Sequence, residues 1–258
     1  MSDWAIDLFG AISVNFWDFA LLGVVSLQVT AMAYLPRPRW KALAMALPFP
    51  FTTIALSQGN PVNATHVLAL LGLLSYYHAV RLLHLRLPIV AAIFLGLSLY
   101  IGISQVLLTL VPPLSFWPSV FGVASLACGL FLWQPPRNEP NHRTPLPVYF
   151  KLPAAAVVIA LLLVLKGSLQ GFATLFPILG VVGLYEARKG LWSICRQAPA
   201  FIMGMCAMLV VIYSTQEALG LPRALLVGWI AYLALLLPMT QRLWKREKAH
   251  YEQENSPS

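Results

Sequence analysis

The chain reads as an all-α polytopic membrane protein of about nine transmembrane helices: two four-helix repeats of opposite orientation joined by one linking helix. Three observations predict this. First, 59% of the 258 residues are hydrophobic and 10% charged, whereas soluble domains hold roughly 45–50% apolar and about 25% charged residues. With a mean hydropathy of +0.74, polar side chains are too few to cover a water-facing globule, and the bilayer is the remaining solvent. Second, the cations fall on alternate connections between apolar runs. Third, two proline-interrupted runs lie nearly half a chain apart.

Hydrocarbon about 30 Å thick needs about 20 apolar residues per helix, and charge and Pro/Gly/Asn clusters cut the chain into runs of that order. An outer N-terminal segment, 1–15, carries Asp3 and Asp7 and no Lys or Arg, unlike the basic start of a cleaved signal peptide, so it is expected to be retained. The first repeat, 16–111, holds expected spans at 16–35, 40–56, 62–83 and 87–111, the second of them short and interrupted by Pro48 and Pro50. A linking helix at 115–133 and a polar, Pro-rich loop make up 112–146. The second repeat, 147–243, holds spans at 147–165, 168–187, 191–215 and 221–243, and 244–258 is a cytoplasmic tail.

The cations test this count. Arg37, Arg39 and Lys41, then Arg81 and Arg86, then Arg137, Arg143 and Lys151, then Arg188, Lys189 and Arg196, and finally Arg242 to Lys248 all fall on one side of nine spans; Lys166 and Arg223 fall on the other. Lys and Arg are retained in the cytoplasm, which places the N-terminus outside and the C-terminus inside. The formal net charge of +8, which in a soluble protein would suggest nucleic acid, is thus read as orientation, and no nucleic-acid partner is expected.

Proline inside a helix removes a hydrogen bond and clashes with the preceding turn, so a proline within a span needs a reason. Leu47-Pro48-Phe49-Pro50-Phe51 lies in span two and Leu175-Phe176-Pro177-Ile178 in span seven, so that Pro50 and Pro177 are separated by nearly half the chain. The same offset lays spans one to four onto spans six to nine and leaves span five without a counterpart. Because the matched spans are five apart, the two halves run in opposite senses, an arrangement common in secondary transporters. Residue identity at this offset is close to that of any two apolar sequences, so the spacing and the two Phe-Pro sites carry the repeat.

The stretch from Leu175-Phe176-Pro177 to Tyr185, with Gly190-Leu191 and then Arg196-Gln197, resembles the GlpM family of small bacterial inner-membrane proteins, whose members are about half this length. The resemblance covers 165–243, with a weaker echo in 44–83, and implies a bacterial inner-membrane protein built by duplication. The architecture is also similar to the drug/metabolite transporter superfamily, an analogy of fold alone.

Ionisable groups at membrane depth are costly and usually face the bundle interior. His78, Arg81 and His84 step by three along span three, while Arg196 and Gln197 lie one turn into span eight and Glu186 ends span seven. If spans three and eight pack together, Arg81 and Arg196 frame a positive vestibule facing the cytoplasm, suited to carboxylate or phosphate. His78, Gln197 and Glu186 complete this candidate substrate site. Against it stands the common use of such arginines as interfacial anchors whose heads reach the phospholipid headgroups. Asp18, at the start of span one, is a candidate proton site or a helix-start residue. Pro48, Pro50 and Pro177 are candidate helix breaks for transport, or kinks held by neighbouring helices. Gln28, Thr30, Ser104 and Gln105 are read as bonds between helices.

No nucleophile elbow, zincin motif or phosphate loop is present. His66 and His78 lie about 18 Å apart by helical rise, so neither a haem nor another metal site is expected, and no cofactor. Cys128, Cys195 and Cys206 sit in apolar runs and read as buried thiols rather than a disulfide framework. The expected function is therefore not enzymatic: a secondary transporter or flippase-like protein for a small or amphiphilic, anionic substrate, working by alternating access. Its expected partners are the bilayer, a small-molecule or lipid substrate, and a second copy or a membrane complex. The competing reading is a non-transporting accessory protein of envelope lipid or polysaccharide assembly. A lipid-modifying enzyme is the third, carried only by Tyr77 and His78.

Overall fold

A computed structural model describes residues 16–110, 115–137, 139–140, 153, 157 and 169–254. The expected sixth span, at 147–165, lies outside the described residues apart from 153 and 157. The described elements are all helical: α1 (Phe16–Tyr34), α2 (Pro38–Met45), α3 (Phe49–Gln58), α4 (Ala64–Leu83), α5 (Ile89–Leu110), α6 (Phe116–Trp133), a 3-10 helix η1 (Gln170–Leu175), α7 (Ile178–Glu186), α8 (Leu191–Leu219) and α9 (Leu221–Glu254). Five of them, α4, α5, α6, α8 and α9, are long and apolar enough to cross a membrane. The expected spans two and seven are each two short helices, α2 with α3 and η1 with α7.

Both interruptions fall at the Phe-Pro sites, where a missing donor and a fixed φ stop the helix. Between α2 and α3 the chain passes through Ala46, Leu47 and Pro48, and Pro48 has φ −84° and ψ 39°. Between η1 and α7 it passes through Phe176 and Pro177, the latter with φ −75° and ψ 52°. Carbonyls freed in an apolar interior need donors from elsewhere, because water is not there to supply them. Gln28 of α1 donates through Nε2 to Ala44 O (2.6 Å) and Leu47 O (3.1 Å). The Tyr232 hydroxyl of α9 donates to Ala46 O. On the other interrupted segment, the Tyr100 hydroxyl of α5 donates to Phe172 O (2.7 Å), and Thr174 Oγ1 donates to Gly171 O (2.6 Å). Gln28 thus bonds between helices as expected, whereas Thr30 and Ser104 bond to carbonyls of their own helices.

At the core, α4 and α8 lie side by side and run antiparallel. Arg81, at the end of α4, stacks on Trp192 at the start of α8 (4.2 Å to the ring centroid). At the other end Gln216 of α8 clasps the backbone of Val62, just before α4, accepting from its N (2.7 Å) and donating to its O (3.1 Å). Each has a long companion, α5 against α4 and α9 against α8, while α6 packs on both. The companions approach closely through glycines. A Cβ on Gly72 would meet the Tyr100 ring at 3.0 Å, and one on Gly204 would meet the Tyr232 ring at 2.9 Å. A Cβ on Gly96 would lie 2.6 Å from Val80 and 3.1 Å from Tyr76; one on Gly228 would lie 2.9 Å from Ile212 and 3.1 Å from Met208. All these partners correspond at a single offset, the one that carries Gly72 onto Gly204.

Within the first half α1 packs on α2 and α3, and further packing crosses between the expected halves: α2 lies against α8 and η1 against α4, α3 against η1, and α1 against α7. Asn63 caps α4, its Oδ1 accepting from Thr65 N (3.0 Å), while its own N–H donates to His66 Nδ1 (3.2 Å). Of the cysteines, Cys195 and Cys206 are buried as expected, but Cys128 is exposed.

Candidate functional site

The two helix breaks face each other across one cavity. Its lining takes Leu47, Pro48, Pro50 and Phe51 from the first break, Thr174, Leu175, Phe176 and Pro177 from the second, and Leu73, Tyr77 and Phe201 from the core helices. Its volume is about 40 Å³. A smaller cavity of about 10 Å³ adjoins it through the shared lining residues Met45, Tyr77 and Phe201. That one shares Ala42 and Gln197 with a third, of about 20 Å³, lined also by Arg39, Ser193, Arg196, Leu243, Trp244 and Glu247. One water needs about 10–15 Å³ on this measure. The row of voids therefore has room for a few waters and none for a metabolite, whose pockets run to hundreds of Å³.

The third cavity lies at the end of the bundle that gathers the cations. Arg39 stacks on Trp244 (5.4 Å), Arg81 and Arg137 both stack on Trp192 (4.2 and 5.0 Å), and Arg246 stacks on Phe131 (5.7 Å). Glu139 completes the cluster, accepting from Trp192 N (2.9 Å) and Ser193 N (2.8 Å) at the head of α8, where the helix dipole favours a carboxylate.

Of the residues expected to form a vestibule, Arg196 and Gln197 line the row of cavities and Arg81 does not. Arg196 is buried; its Nη2 donates to Leu243 O (3.3 Å). Gln197 Nε2 donates to Thr240 Oγ1 (2.7 Å), tying α8 to α9. Arg81 is held over Trp192 instead. His78 is engaged as a link between helices. Its Nδ1 must donate to Leu74 O (3.0 Å), since a carbonyl only accepts, and Nε2 lies 3.2 Å from the Gln134 amide at the end of α6. Glu186 is fully buried at the end of α7. Pro48, Pro50 and Pro177 all line the central cavity. Asp18 belongs to the first turn of α1, and its side chain lies outside what is described.

Two residues that the sequence presents only as topology cations enter the site. Lys41 is 2% exposed, and its ammonium donates to the Glu186 carbonyl (3.0 Å), so two buried ionisable residues join the cation-rich ends of α2 and α7. Arg39 lines the third cavity. Their signal is faint: a Lys or Arg at the head of an expected span reads as interfacial unless the span is known to be broken. Among the described residues no three His, Cys, Asp or Glu gather where a metal would bind. A separate shallow crevice of about 460 Å³ runs between α6, α8 and α9, lined mostly by apolar residues such as Val120, Ala124, Met203 and Leu235, with Ser125, Cys128 and Cys206.

Searches with protein-family profiles, curated proteins and solved structures returned no match to this chain.

Proposed function

We propose that the protein is a secondary transporter or flippase-like protein of the bacterial inner membrane, built from two inverted four-helix units, that moves a small or amphiphilic anion by alternating access around its two helix breaks. The observation that carries this reading is the pairing of the breaks on one cavity, connected by further voids to a cation-rich end. Interrupted helices at matching places in two halves mark transport sites because they bring backbone polar groups to mid-membrane and make hinges.

The inverted repeat is supported by contacts rather than by residue identity. Gly72 with Tyr100 and Gly204 with Tyr232 form the same contact at one sequence offset, and Gly96 and Gly228 meet their partners at that same offset. Each tyrosine then bonds a carbonyl in the interrupted segment of the other half. The antiparallel contact of α4 with α8 is the contact that two inverted halves make across their pseudo-twofold axis. In this reading α2 with α3 and η1 with α7 are spans two and seven, 147–165 supplies span six, and nine spans place the cation-rich end in the cytoplasm. The resemblance of 165–243 to the GlpM family fits a fused duplication.

The test has two stages. Compounds are first screened for those that raise the melting temperature of the detergent-purified chain, since a ligand of the native state stabilises it. Uptake of the stabilising compound is then measured in reconstituted vesicles. Arg196→Ala and Pro177→Ala are expected to lower uptake at least about tenfold with the protein still in the membrane, and Arg81→Ala much less, because Arg81 lies off the row of cavities. Unchanged uptake in Arg196→Ala and Pro177→Ala would sink the proposal. Stoichiometric co-purification with another membrane protein, with no compound stabilising the chain alone, would favour an accessory role.

A further inference from the structure

We infer that Arg39 and Arg196 form a binding site for one singly charged oxyanion group at the cation-rich mouth of the cavity row. This deepens the transporter reading and rests on it only for what the bound group does next.

Both guanidinium groups line the same small cavity, one from the head of α2 and one from α8. Both Nε atoms are buried with no hydrogen-bond partner among the described residues. Arg196 is 5% exposed and satisfies one nitrogen on Leu243 O; Arg39 makes a stacking contact with Trp244. A buried donor without an acceptor loses its water and gains nothing in return, and the loss is greater for a charged group than for a neutral one. Two such donors on one cavity therefore mark a place where an acceptor belongs. Guanidinium suits oxyanions above other acceptors because its donors match their oxygen spacing. Ser193, on the same wall, adds a hydroxyl.

The charged groups on the lining favour a singly charged ligand. Glu247 lines the cavity too but forms no ion pair within 4 Å with either arginine among the described residues. Two arginines and one glutamate leave one positive charge, which a singly charged oxyanion neutralises and a doubly charged one overshoots. The volume, about 20 Å³, admits the oxygen atoms of such a group and leaves the rest of the molecule outside. A phosphodiester in a lipid headgroup and a soluble oxyanion share this chemistry. Entry brings the ligand into competition with the Glu247 carboxylate, so Glu247 sets the affinity.

The test titrates the detergent-purified full chain with inorganic phosphate, at a pH below its second ionisation where it is singly charged, against chloride of equal ionic strength, and separately with phosphatidylglycerol in zwitterionic mixed micelles, following thermal stabilisation. At least one probe is expected to raise the melting temperature saturably. Arg39→Gln, at a half-buried site, and Arg196→Lys are each expected to weaken that response at least about tenfold, and Glu247→Gln to strengthen it. A response to phosphate assigns a soluble ligand, and a response to the lipid alone assigns a headgroup; both uphold the site. No saturable response to either probe, or a response that persists undiminished in Arg39→Gln, overturns it. Because binding is read without transport, its failure leaves the alternating-access reading to be judged on uptake.

Discussion

Replacing Gln28 by Leu is expected to lower the stability of the detergent-solubilised protein by about 1–3 kcal/mol, because it removes the described donor to Leu47 O and leaves Ala44 O with only the longer bond from Leu47 N–H (3.4 Å), and an orphaned buried acceptor costs about that much. Tyr232→Phe removes the donor to Ala46 O and Tyr100→Phe the donor to Phe172 O. Hydrogen bonds between membrane helices average about 0.6 kcal/mol and reach about 1.7. Tyr232→Phe belongs near the upper figure, because Ala46 lies past the end of α2 and the following Pro48 and Pro50 have no N–H to offer its carbonyl; Tyr100→Phe, whose partner Phe172 lies inside η1, belongs near the average. Denaturation midpoints of the three variants would check the ranking, and a Gln28→Leu midpoint equal to that of the native chain would refute this account of how the break is held.

The second large effect concerns Lys41. Its ammonium donates to the Glu186 carbonyl, and both residues are buried at the junction of α2 with α7. A hydrogen bond from a charged donor is worth about 1.5–3 kcal/mol, and Lys41→Met removes this one from the Glu186 backbone carbonyl. The variant is therefore expected to destabilise by that amount, and adding Glu186→Leu, which keeps the backbone carbonyl, is not expected to recover the loss. Thermal or chemical unfolding measures it; a Lys41→Met midpoint equal to that of the native chain would refute this role of Lys41.

The helix breaks are legible in the sequence because proline leaves a local signature that no tertiary contact can erase. The residues that hold the breaks are less so. Gln28 stands out as a polar residue at depth, but Tyr100 and Tyr232 look like any other aromatic residue in an apolar run, and only their hydroxyl partners give them a role. The proline pair sets one offset for the proposed repeat, from Pro50 to Pro177. The contacts of the later helices correspond at a slightly longer one, from Gly72 to Gly204, which explains why identity at the proline offset stays near chance. At the shifted register the matching residues are glycines and tyrosines at close crossings, where packing constrains identity most.

The vestibule shows what spacing cannot supply. Arg81 and Arg196 do sit toward the same end of adjacent helices, but Arg81 is taken up by Trp192, and stacking on an aromatic face has no periodic signature. Arg39 is the partner that meets Arg196 on one cavity. In sequence it groups with the topology cations because span two reads as one helix, and the break is what carries the head of α2 against α8.

Alternating access requires the cavity between the two breaks to open in turn to either side of the membrane. The most direct test is a single cysteine at Leu47, which lines that cavity, in a chain whose Cys128, Cys195 and Cys206 are replaced by alanine. A membrane-impermeant maleimide is applied to intact cells and to inside-out vesicles, with a cysteine in the tail after Leu243 as the marker of sidedness. Alternating access predicts labelling at position 47 from both sides, while the tail cysteine is labelled in inside-out vesicles alone. Labelling of position 47 from one side only, or from neither, would contradict it.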